Sequence, residues 1–403
     1  MTLRRYSLPV VAGLAVCVAA TTLSAPAAMA AKDPESSVSQ RLITNGEAAM
    51  RTGSVVSQPS QKALVDSASA NARISQLVPA RSITKAFRKA VGSNYAGRII
   101  DIDTGAELWS RRSTTGLLPA SNMKIVTAVS ALKTLGPDKT FTTRVVSLGK
   151  GKVAIIGGGD ATLSRTGLAK LAQSAAAVIN SRPDLLPDVT TPAPYRPATC
   201  IRKGKRVKST KKKPCKLVRP GPRRAVSVFV DDSLYPAPSR PSGWRGGYEP
   251  TVVRPVRPLG IDGDYSMDSS ANAAGYFGSA LKSYGLTGTF AGRASGAGAE
   301  QLGTYSGSTL ADQVKYMLQV SENNIAEMLF RNVAVAKGYV PNWTNSSRAA
   351  TEVLGSLGIP LSSVSLTSGS GVSRNDRLTP VALTTILQRV ADATTYPELA
   401  PVY

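Results

Sequence analysis

Apolar residues recur along this chain in two alternating patterns, one typical of strands and one typical of amphipathic helices. Two strand-like runs, 98–102 and 107–111, flank a D-x-G turn at 103–105 and predict a β-hairpin. A helix is predicted from about Asn122, where apolar residues return at three- and four-residue spacing, and Gly136 ends it. The chain therefore opens its folded part with a hairpin followed by a helix.

The middle of the chain has a different, mixed pattern. A second hairpin is predicted from the runs 144–148 and 152–156, followed by a helix near 167–180 and a strand at 226–230. Helical spacing returns from about residue 309 and continues in a second helix from about residue 324. The mixed strands and glycines between these parts suggest a long insertion.

The first thirty residues have the three-part pattern of a secretory signal peptide. Two arginines precede the apolar run Leu8–Ala20, and small residues then lead to an A-x-A cleavage site at Ala30. The run has 13 residues, and a membrane-spanning helix needs about 20. We therefore expect a protein exported to the cell wall or a periplasm-like space, without a membrane span after signal cleavage. Residues 31–80, rich in Ser, Ala and Gln, are expected to form a flexible leader.

Composition excludes several classes of protein and of catalytic site. The 403 residues are 42% hydrophobic and 18% charged, which fits neither a disordered polyelectrolyte nor a polytopic membrane protein. The chain has no histidine, so a Ser-His-Asp triad and an H-E-x-x-H zinc site are both excluded. Any side-chain base must be a lysine or a carboxylate, and we expect neither a cofactor nor a metal.

Two cysteines, Cys200 and Cys215, remain after the expected signal cleavage. Export favours a disulfide between them, with two separate thiols as the alternative. Residues 202–224 hold 12 Lys and Arg and no acidic residue. This stretch is predicted to be a solvated surface loop, with docking on anionic cell-wall polymers as the alternative. Nucleic acid is not expected as a partner, because no aromatic residue lies among these charges to stack on bases.

A serine can act as a nucleophile without histidine when a neutral lysine amine accepts its proton. Ser and Lys three residues apart lie on one face of a helix, which brings the two groups together. Only Ser121 with Lys124 follows a strand pair and stands at the start of an apolar predicted helix. The alternative is a helix-capping serine followed by a surface lysine. The five S-x-x-K strings of the chain are Ser82/Lys85, Ser121/Lys124, Ser147/Lys150, Ser209/Lys212 and Ser279/Lys282.

A second polar motif, Ser321-Glu322-Asn323, lies between two predicted helices. Short polar side chains at such a junction can project into a groove. The S-x-N string also occurs at Ser270/Asn272 and at Ser373/Asn375, so the string alone is weak. Its order after Ser121 and its place between helices make it a candidate partner of the S-x-x-K pair.

Five segments carry a resemblance to a known family: P-A-S-N-M-K-I-V-T-A, G-G-G-D-A-T-L, V-D-D-S-L, S-E-N-N-I-A-E-M-L and S-G-S-G-V-S-R-N-D-R-L-T-P. From about Ala96 onward the chain resembles the D-alanyl-D-alanine carboxypeptidase/endopeptidase family of the penicillin-binding protein 4 type. The resemblance implies an α/β transpeptidase-like fold, with helices packed on an antiparallel sheet. Residues 81–145 and 301–403 would be its two parts, and 146–300 its inserted domains.

The resemblance also implies a role for each residue of the two motifs. Ser121 is the implied nucleophile, which is acylated, and Lys124 is the implied general base. Ser321 would relay a proton to the leaving amine, and Asn323 would bind the substrate amide and Lys124. The implied substrates are peptidoglycan stem peptides ending in D-Ala-D-Ala, and β-lactams are implied covalent inhibitors. Nearly 200 residues separate the two motifs, which argues against a compact β-lactamase.

The third motif of that family, K-T-G on a strand, is missing from the sequence. Arg165-Thr166-Gly167 lies between the first two motifs, and Arg51-Thr52-Gly53 precedes both. We therefore expect a sequence truncated before that strand. A smaller departure is Ser368, where the family usually has Asp before Gly-Ser-Gly.

Three functions follow as hypotheses. The first is an exported serine carboxypeptidase that removes terminal D-Ala from stem peptides, with endopeptidase action on cross-links compatible with it. The second is a truncated, inactive protein that binds the cell wall, and the third is a β-lactamase-like hydrolase.

Overall fold

A computed structural model describes residues 14–20 and 80–402, except 192–193, 196, 203–204, 212 and 219–220. The predicted signal-cleavage site and the predicted leader up to residue 79 lie outside the described residues. The described chain forms two compact units. The domain boundaries predicted from the sequence, at 145/146 and 300/301, stay predictions. The first unit contains residues 14–20, 80–139, 240–246 and 310–402, and the second contains 140–239 and 247–309.

Strands and helices alternate irregularly along the chain. In order they are β1 (Leu14–Ala20), α1 (Ala80–Val91), β2 (Tyr95–Asp101), β3 (Glu107–Arg111), α2 (Met123–Leu135), β4 (Thr142–Ser147), β5 (Lys152–Ile156), α3 (Arg165–Ser181), β6 (Val189–Thr190), β7 (Thr199–Arg202), β8 (Lys205–Lys208), β9 (Arg223–Asp231), α4 (Ser269–Ala280), β10 (Leu286–Arg293), β11 (Gln301–Ser306), α5 (Leu310–Val320), α6 (Asn323–Ala336), α7 (Trp343–Ser356) and α8 (Pro380–Ala391). Short 3-10 turns occupy Ala120–Asn122, Leu281–Tyr284 and Pro397–Val402.

The first unit combines a small antiparallel sheet with a set of packed helices. Its strand order is β1-β2-β3, and β2 with β3 confirms the first predicted hairpin. The tight turn at Gly105 has a φ of +72°, and Asp101 accepts hydrogen bonds from the backbone of Asp103 and Thr104. Helix α2 is buried along most of its length, because it packs against α6 and α7. This burial fixes the helix that carries the S-x-x-K pair.

The second unit is built on a mixed sheet. Its strand order is β10-β9-β5-β4-β11, with β6 paired to β9. The β4/β5 hairpin confirms the second predicted hairpin, and β9 lies parallel to both β5 and β10. Helices α3 and α4 cover this sheet with apolar residues that include Leu168, Leu171 and Phe277. The sheet and these helices share one hydrophobic core.

Residues 240–246 lie in the sequence between two parts of the second unit, but in the folded chain they belong to the first unit. The backbone oxygen of Ser242 accepts a hydrogen bond of 2.6 Å from Ser373 Oγ. The backbone oxygen of Gly243 accepts one of 3.1 Å from the backbone nitrogen of Arg374. The ring of Trp244 packs against that of Trp343, with their centroids 5.6 Å apart. This segment is therefore bonded to the 373–375 loop of the first unit.

Cys200 and Cys215 form a disulfide, as expected from the sequence. The bond joins β7 to the segment that follows β8. Among the described residues, no helix is both long enough and apolar enough to cross a membrane.

Candidate active site

The chain segment before α2 brings Ser121 to the start of a buried helix. Ala120 has a φ of +47°, in the left-handed region that residues with side chains rarely adopt. Ser121 follows within a 3-10 turn, and α2 begins at Met123. Lys124 is only 1% exposed. The helix therefore holds a lysine amine in the protein interior, one turn from the serine.

The hydroxyl group of Ser121 lies between two polar groups. Lys124 Nζ donates a hydrogen bond of 3.3 Å to Ser121 Oγ, and Ser321 Oγ donates one of 2.8 Å to the same oxygen. The alternative of a capping serine with a surface lysine does not describe this pair. Asn122 occupies the N-cap of α2, and Lys124 is buried. The serine oxygen and the lysine nitrogen thus face each other.

The Ser321-Glu322-Asn323 motif lies at the predicted junction of two helices. Helix α5 ends at Val320, and Ser321 has a φ of +58° in the left-handed region. Glu322 then caps α6 by accepting a hydrogen bond of 2.9 Å from the backbone nitrogen of Ile325. Asn323 Oδ1 accepts a hydrogen bond of 2.8 Å from Lys124 Nζ. The structure therefore brings together all four predicted site residues, Ser121, Lys124, Ser321 and Asn323.

A third oxygen contacts Lys124, and the sequence did not predict it. The backbone oxygen of Ser370 accepts a hydrogen bond of 3.1 Å from Lys124 Nζ. Glu327, one turn after Asn323 on α6, accepts hydrogen bonds from the backbone nitrogens of Gly369 and Ser370, at 2.8 and 2.9 Å. The carboxylate also accepts a hydrogen bond from the Ser370 hydroxyl. Glu327 therefore holds the loop whose carbonyl group contacts the lysine.

Two further contacts fix the same loop against α2. Thr127 Oγ1 donates a hydrogen bond of 2.7 Å to the backbone oxygen of Gly369. Gly371 has a φ of +83°, and a Cβ atom at this position would lie 1.8 Å from the backbone oxygen of Ala120. Only glycine allows this close approach, which packs the loop directly against the residue before Ser121.

Burial shifts the pKa values of two groups in the site, Lys124 and Glu327. Burial lowers the pKa of Lys124 to about 8, and the carboxylates of Glu327 and Glu322 oppose this effect. Burial raises the pKa of Glu327 to about 7, and the hydrogen bonds from Ser370 and Gly369 oppose that effect. About a tenth of Lys124 is therefore neutral at pH 7, in the form that can accept a proton.

The loop around Ser368 is held by a carboxylate from further along the chain. Ser368 Oγ donates a hydrogen bond of 2.7 Å to Asp376 Oδ2. The backbone nitrogens of Thr367 and Ser368 donate to Asp376 Oδ1 at 2.7 and 3.1 Å. Burial raises the pKa of Asp376. The turn therefore forms with serine at position 368.

The remaining candidate motifs stand elsewhere. Ser82 with Lys85, and Ser279 with Lys282, are exposed on helical segments, while Ser147 with Lys150 belongs to the β4/β5 hairpin. Lys212 of the fourth alternative pair lies outside the described residues. The two other S-x-N strings, Ser270/Asn272 and Ser373/Asn375, lie in α4 and in the loop bonded to residues 240–246.

The sequence Arg165-Thr166-Gly167 does not form the strand that a K-T-G motif requires. These residues begin helix α3, which Ser164 caps by accepting a hydrogen bond of 3.0 Å from the backbone nitrogen of Gly167. Arg51-Thr52-Gly53 lies outside the described residues. Within the described ranges, no group of His, Cys, Asp or Glu side chains is arranged to hold a metal ion.

Comparisons with known proteins identify the family to which this chain is similar. The family model described as D-Ala-D-Ala carboxypeptidase 3 (S13) matches residues 81–181 and 265–401. A carboxypeptidase of Mycobacterium tuberculosis is 29% identical over 308 residues, which are 73% of this chain and 60% of that protein. A D-alanyl-D-alanine carboxypeptidase of an Actinomadura species is 28% identical over 349 residues, covering 73% of this chain and 64% of that protein. The chain thus spans less than two thirds of the length of these relatives.

Solved structures support the fold. Penicillin-binding protein 4 of Haemophilus influenzae superposes with a TM-score of 0.55 at 17% identity, covering 75% of this chain and 76% of that one. A second structure of that protein, in complex with a β-lactam, gives a TM-score of 0.51 at 20% identity, covering 79% and 78%. The α/β transpeptidase-like fold predicted from the sequence is confirmed.

Proposed function

The chain belongs to the D-Ala-D-Ala carboxypeptidase 3 (S13) family, and on that premise we propose that it is an exported serine carboxypeptidase acting on peptidoglycan stem peptides. One observation carries this proposal. The oxygen of Ser121 is within hydrogen-bond distance of both Lys124 Nζ and Ser321 Oγ. A hydroxyl between a buried amine and a second hydroxyl has both a proton acceptor and a proton relay.

The proposed reaction begins with attack on the peptide bond between the two terminal D-Ala residues. Neutral Lys124 accepts the hydroxyl proton as the Ser121 oxygen bonds to the carbonyl carbon. The C–N bond then breaks, and Ser321 passes the proton from Lys124 to the leaving amine. Water cleaves the resulting ester on Ser121, which restores the serine and releases the shortened peptide. No cofactor or metal takes part in this sequence.

Asn323 and Ser370 have positioning roles in this proposal. Their oxygens accept hydrogen bonds from Lys124 Nζ, at 2.8 and 3.1 Å. Both acceptors are uncharged, so they fix the direction of the amine and add no full negative charge beside it. The lysine is thereby held toward Ser121 while its neutral form stays accessible.

Covalent binding of β-lactams is part of the same proposal. A β-lactam carbonyl would be attacked by Ser121 as the peptide carbonyl is, and the ring would open to an acyl-enzyme. Penicillin-binding protein 4 of H. influenzae has been crystallised with a β-lactam, and we extend that property to this chain. Endopeptidase action on cross-links is a further proposal for the same site.

A fluorescent penicillin tests the proposal on the full chain. We expect labelling of the wild type and of Ser82→Ala, which removes an exposed serine from another S-x-x-K string. Ser121→Ala should remain unlabelled. Wild type and Ser82→Ala should also release D-Ala from a stem pentapeptide, and Ser121→Ala should not.

Three other results would contradict the proposal. A folded wild type that takes no label and releases no D-Ala would support the alternative of an inactive protein that binds the cell wall. Labelling followed by rapid loss of the label indicates a β-lactamase-like hydrolase. Equal labelling of Ser121→Ala and wild type would exclude Ser121 as the nucleophile.

A further inference from the structure

The basic segment, residues 195–218, is folded around a short hairpin in the second unit. Strand β7 pairs antiparallel with β8, which places Ile201 opposite Arg206 and Thr199 opposite Lys208. Directly opposed residues of an antiparallel pair share a face of the hairpin. Cys200 points to the other face, where it bonds to the fully buried Cys215. The face that carries Ile201 is therefore the outward one.

The basic side chains of this segment that the structure describes have no counter-ions among the described carboxylates. Six of its basic residues are exposed, and none of them forms an ion pair with a described carboxylate. Like charges concentrated in this way repel one another, and an external anionic partner would relieve that repulsion. The six residues are Lys205, Arg206, Lys208, Lys211, Lys213 and Lys216.

Large apolar side chains are exposed beside these cations. Ile201 is 75% exposed and Tyr195 is 54% exposed, and Leu217 and Val218 are 41% and 37% exposed. These four are among the eleven exposed large hydrophobic residues in the described part of the chain. The concentration of four exposed apolar residues in one short segment marks an interaction surface more than single exposed residues do.

Apolar side chains among unpaired cations match the chemistry of an anionic lipid bilayer. Lipid phosphates attract the lysines and arginines, and the headgroup boundary accepts apolar side chains. A dissolved polyanion offers the first interaction but leaves Ile201 in water. We propose that the basic segment docks this protein on membrane surfaces that contain anionic lipid, with the Ile201 face of the hairpin toward the bilayer.

Vesicle co-sedimentation of the full chain tests this proposal. Vesicles of phosphatidylcholine with 30% phosphatidylglycerol should bind the wild type, and pure phosphatidylcholine should bind it at least about tenfold more weakly. Arg206→Gln with Lys208→Gln should lower the affinity for anionic vesicles by about tenfold or more, since each basic residue near such a surface contributes roughly fivefold. Ile201→Thr, which keeps a β-branched residue in the strand, should lower it by roughly threefold or more.

A charge-matched control separates this surface from net charge. Lys170→Gln with Lys282→Gln removes two exposed lysines from the same unit outside the segment, and its affinity should equal that of the wild type. All variants share the same N-terminal sequence, so differences in affinity between them report on the substituted residues. Equal binding to both kinds of vesicle overturns the proposal. So does binding that is insensitive to Ile201→Thr and matched by soluble polyphosphate, which would identify an anionic polymer as the partner. Penicillin labelling tests the proposed function separately, because it does not depend on binding to vesicles.

Discussion

Lys124 Nζ lies 2.8 Å from Asn323 Oδ1 although 199 residues separate them in the sequence. Asparagine offers the amine an oxygen without a full charge, which leaves burial to dominate the pKa of Lys124. The chemistry of the site therefore depends on which neighbours of this amine are neutral and which are acidic. Glu327 and Glu322 are the carboxylates that act on it.

The first prediction concerns the wild-type rate of acylation by a β-lactam as a function of pH. Lys124 must be neutral to accept a proton, and its pKa is lowered to about 8. We therefore expect the rate to rise from pH 6, to reach half of its maximum near pH 8 and to level off above about pH 9. Stopped-flow acylation over this range measures the midpoint. A rate that is flat across it would mean that another group is the base.

The second prediction concerns Asn323→Asp, which replaces the neutral acceptor by a carboxylate of the same shape. A negative charge 2.8 Å from Nζ stabilises the ammonium form and raises the pKa of Lys124. The midpoint of the acylation profile should move up by about one pH unit or more. Activity at pH 7 should fall and recover in part at pH 9. A uniform loss at all pH values would instead indicate a role confined to substrate binding.

The third prediction concerns Glu327→Gln and has the opposite sign. Removing the carboxylate takes away its effect of raising the pKa of Lys124, so the midpoint should move down by about half a unit or more. The amide cannot accept hydrogen bonds at both of its ends, so one buried N–H of the loop loses its partner. The free energy of unfolding should fall by about 1–3 kcal/mol.

Thr127→Val is the matched control for Glu327→Gln. This variant also loosens the 369–370 loop, by deleting the bond from Thr127 Oγ1 to the backbone oxygen of Gly369. It should lower stability by about 1 kcal/mol without moving the midpoint. Equal midpoints in wild type and Glu327→Gln would rule out an electrostatic role for Glu327 and leave a structural one.

The fourth prediction concerns Gly371→Ala. The new Cβ would meet the backbone oxygen of Ala120, and the residue would also keep a left-handed φ of +83°. We expect a loss of at least about 3 kcal/mol in the free energy of unfolding, together with slower acylation. Gly338→Ala is the control, since Gly338 has a φ of +74° and no atom near the site of its Cβ. It should cost about 1 kcal/mol. Urea unfolding that finds equal losses would contradict the contact argument.

The local pattern of turn residues and apolar positions predicted the hairpin and the helix that precede and carry the candidate site. The hairpin at β2 and β3 and the buried helix α2 are specified by turn residues and apolar spacing within a few residues of each other. The S-x-x-K and S-x-N strings each occur more than once in the sequence, and their order and setting selected one of each. This selection predicted the four site residues Ser121, Lys124, Ser321 and Asn323. The structure supports their proximity, and their catalytic roles stay predictions.

Glu327 and Ser370 were missed because their interactions are non-local. In the sequence, Glu327 is an ordinary polar residue on an apolar helix, and its partners lie 42 and 43 residues further on. The contact of Lys124 with Ser370 spans 246 residues and uses a backbone oxygen, which every residue has. The parallel pairing of β5 with β9 is likewise invisible to local periodicity.

The segment 240–246 limits how this protein can be dissected. It is encoded within the long insertion, yet Ser242 and Gly243 hydrogen-bond to the loop that continues from Ser370. Excising 140–309 and joining the ends would remove the second unit. It would also remove residues 240–246, which belong to the first unit and hydrogen-bond to its 373–375 loop. A minimal version should retain these seven residues, for instance as a graft between two flexible linkers.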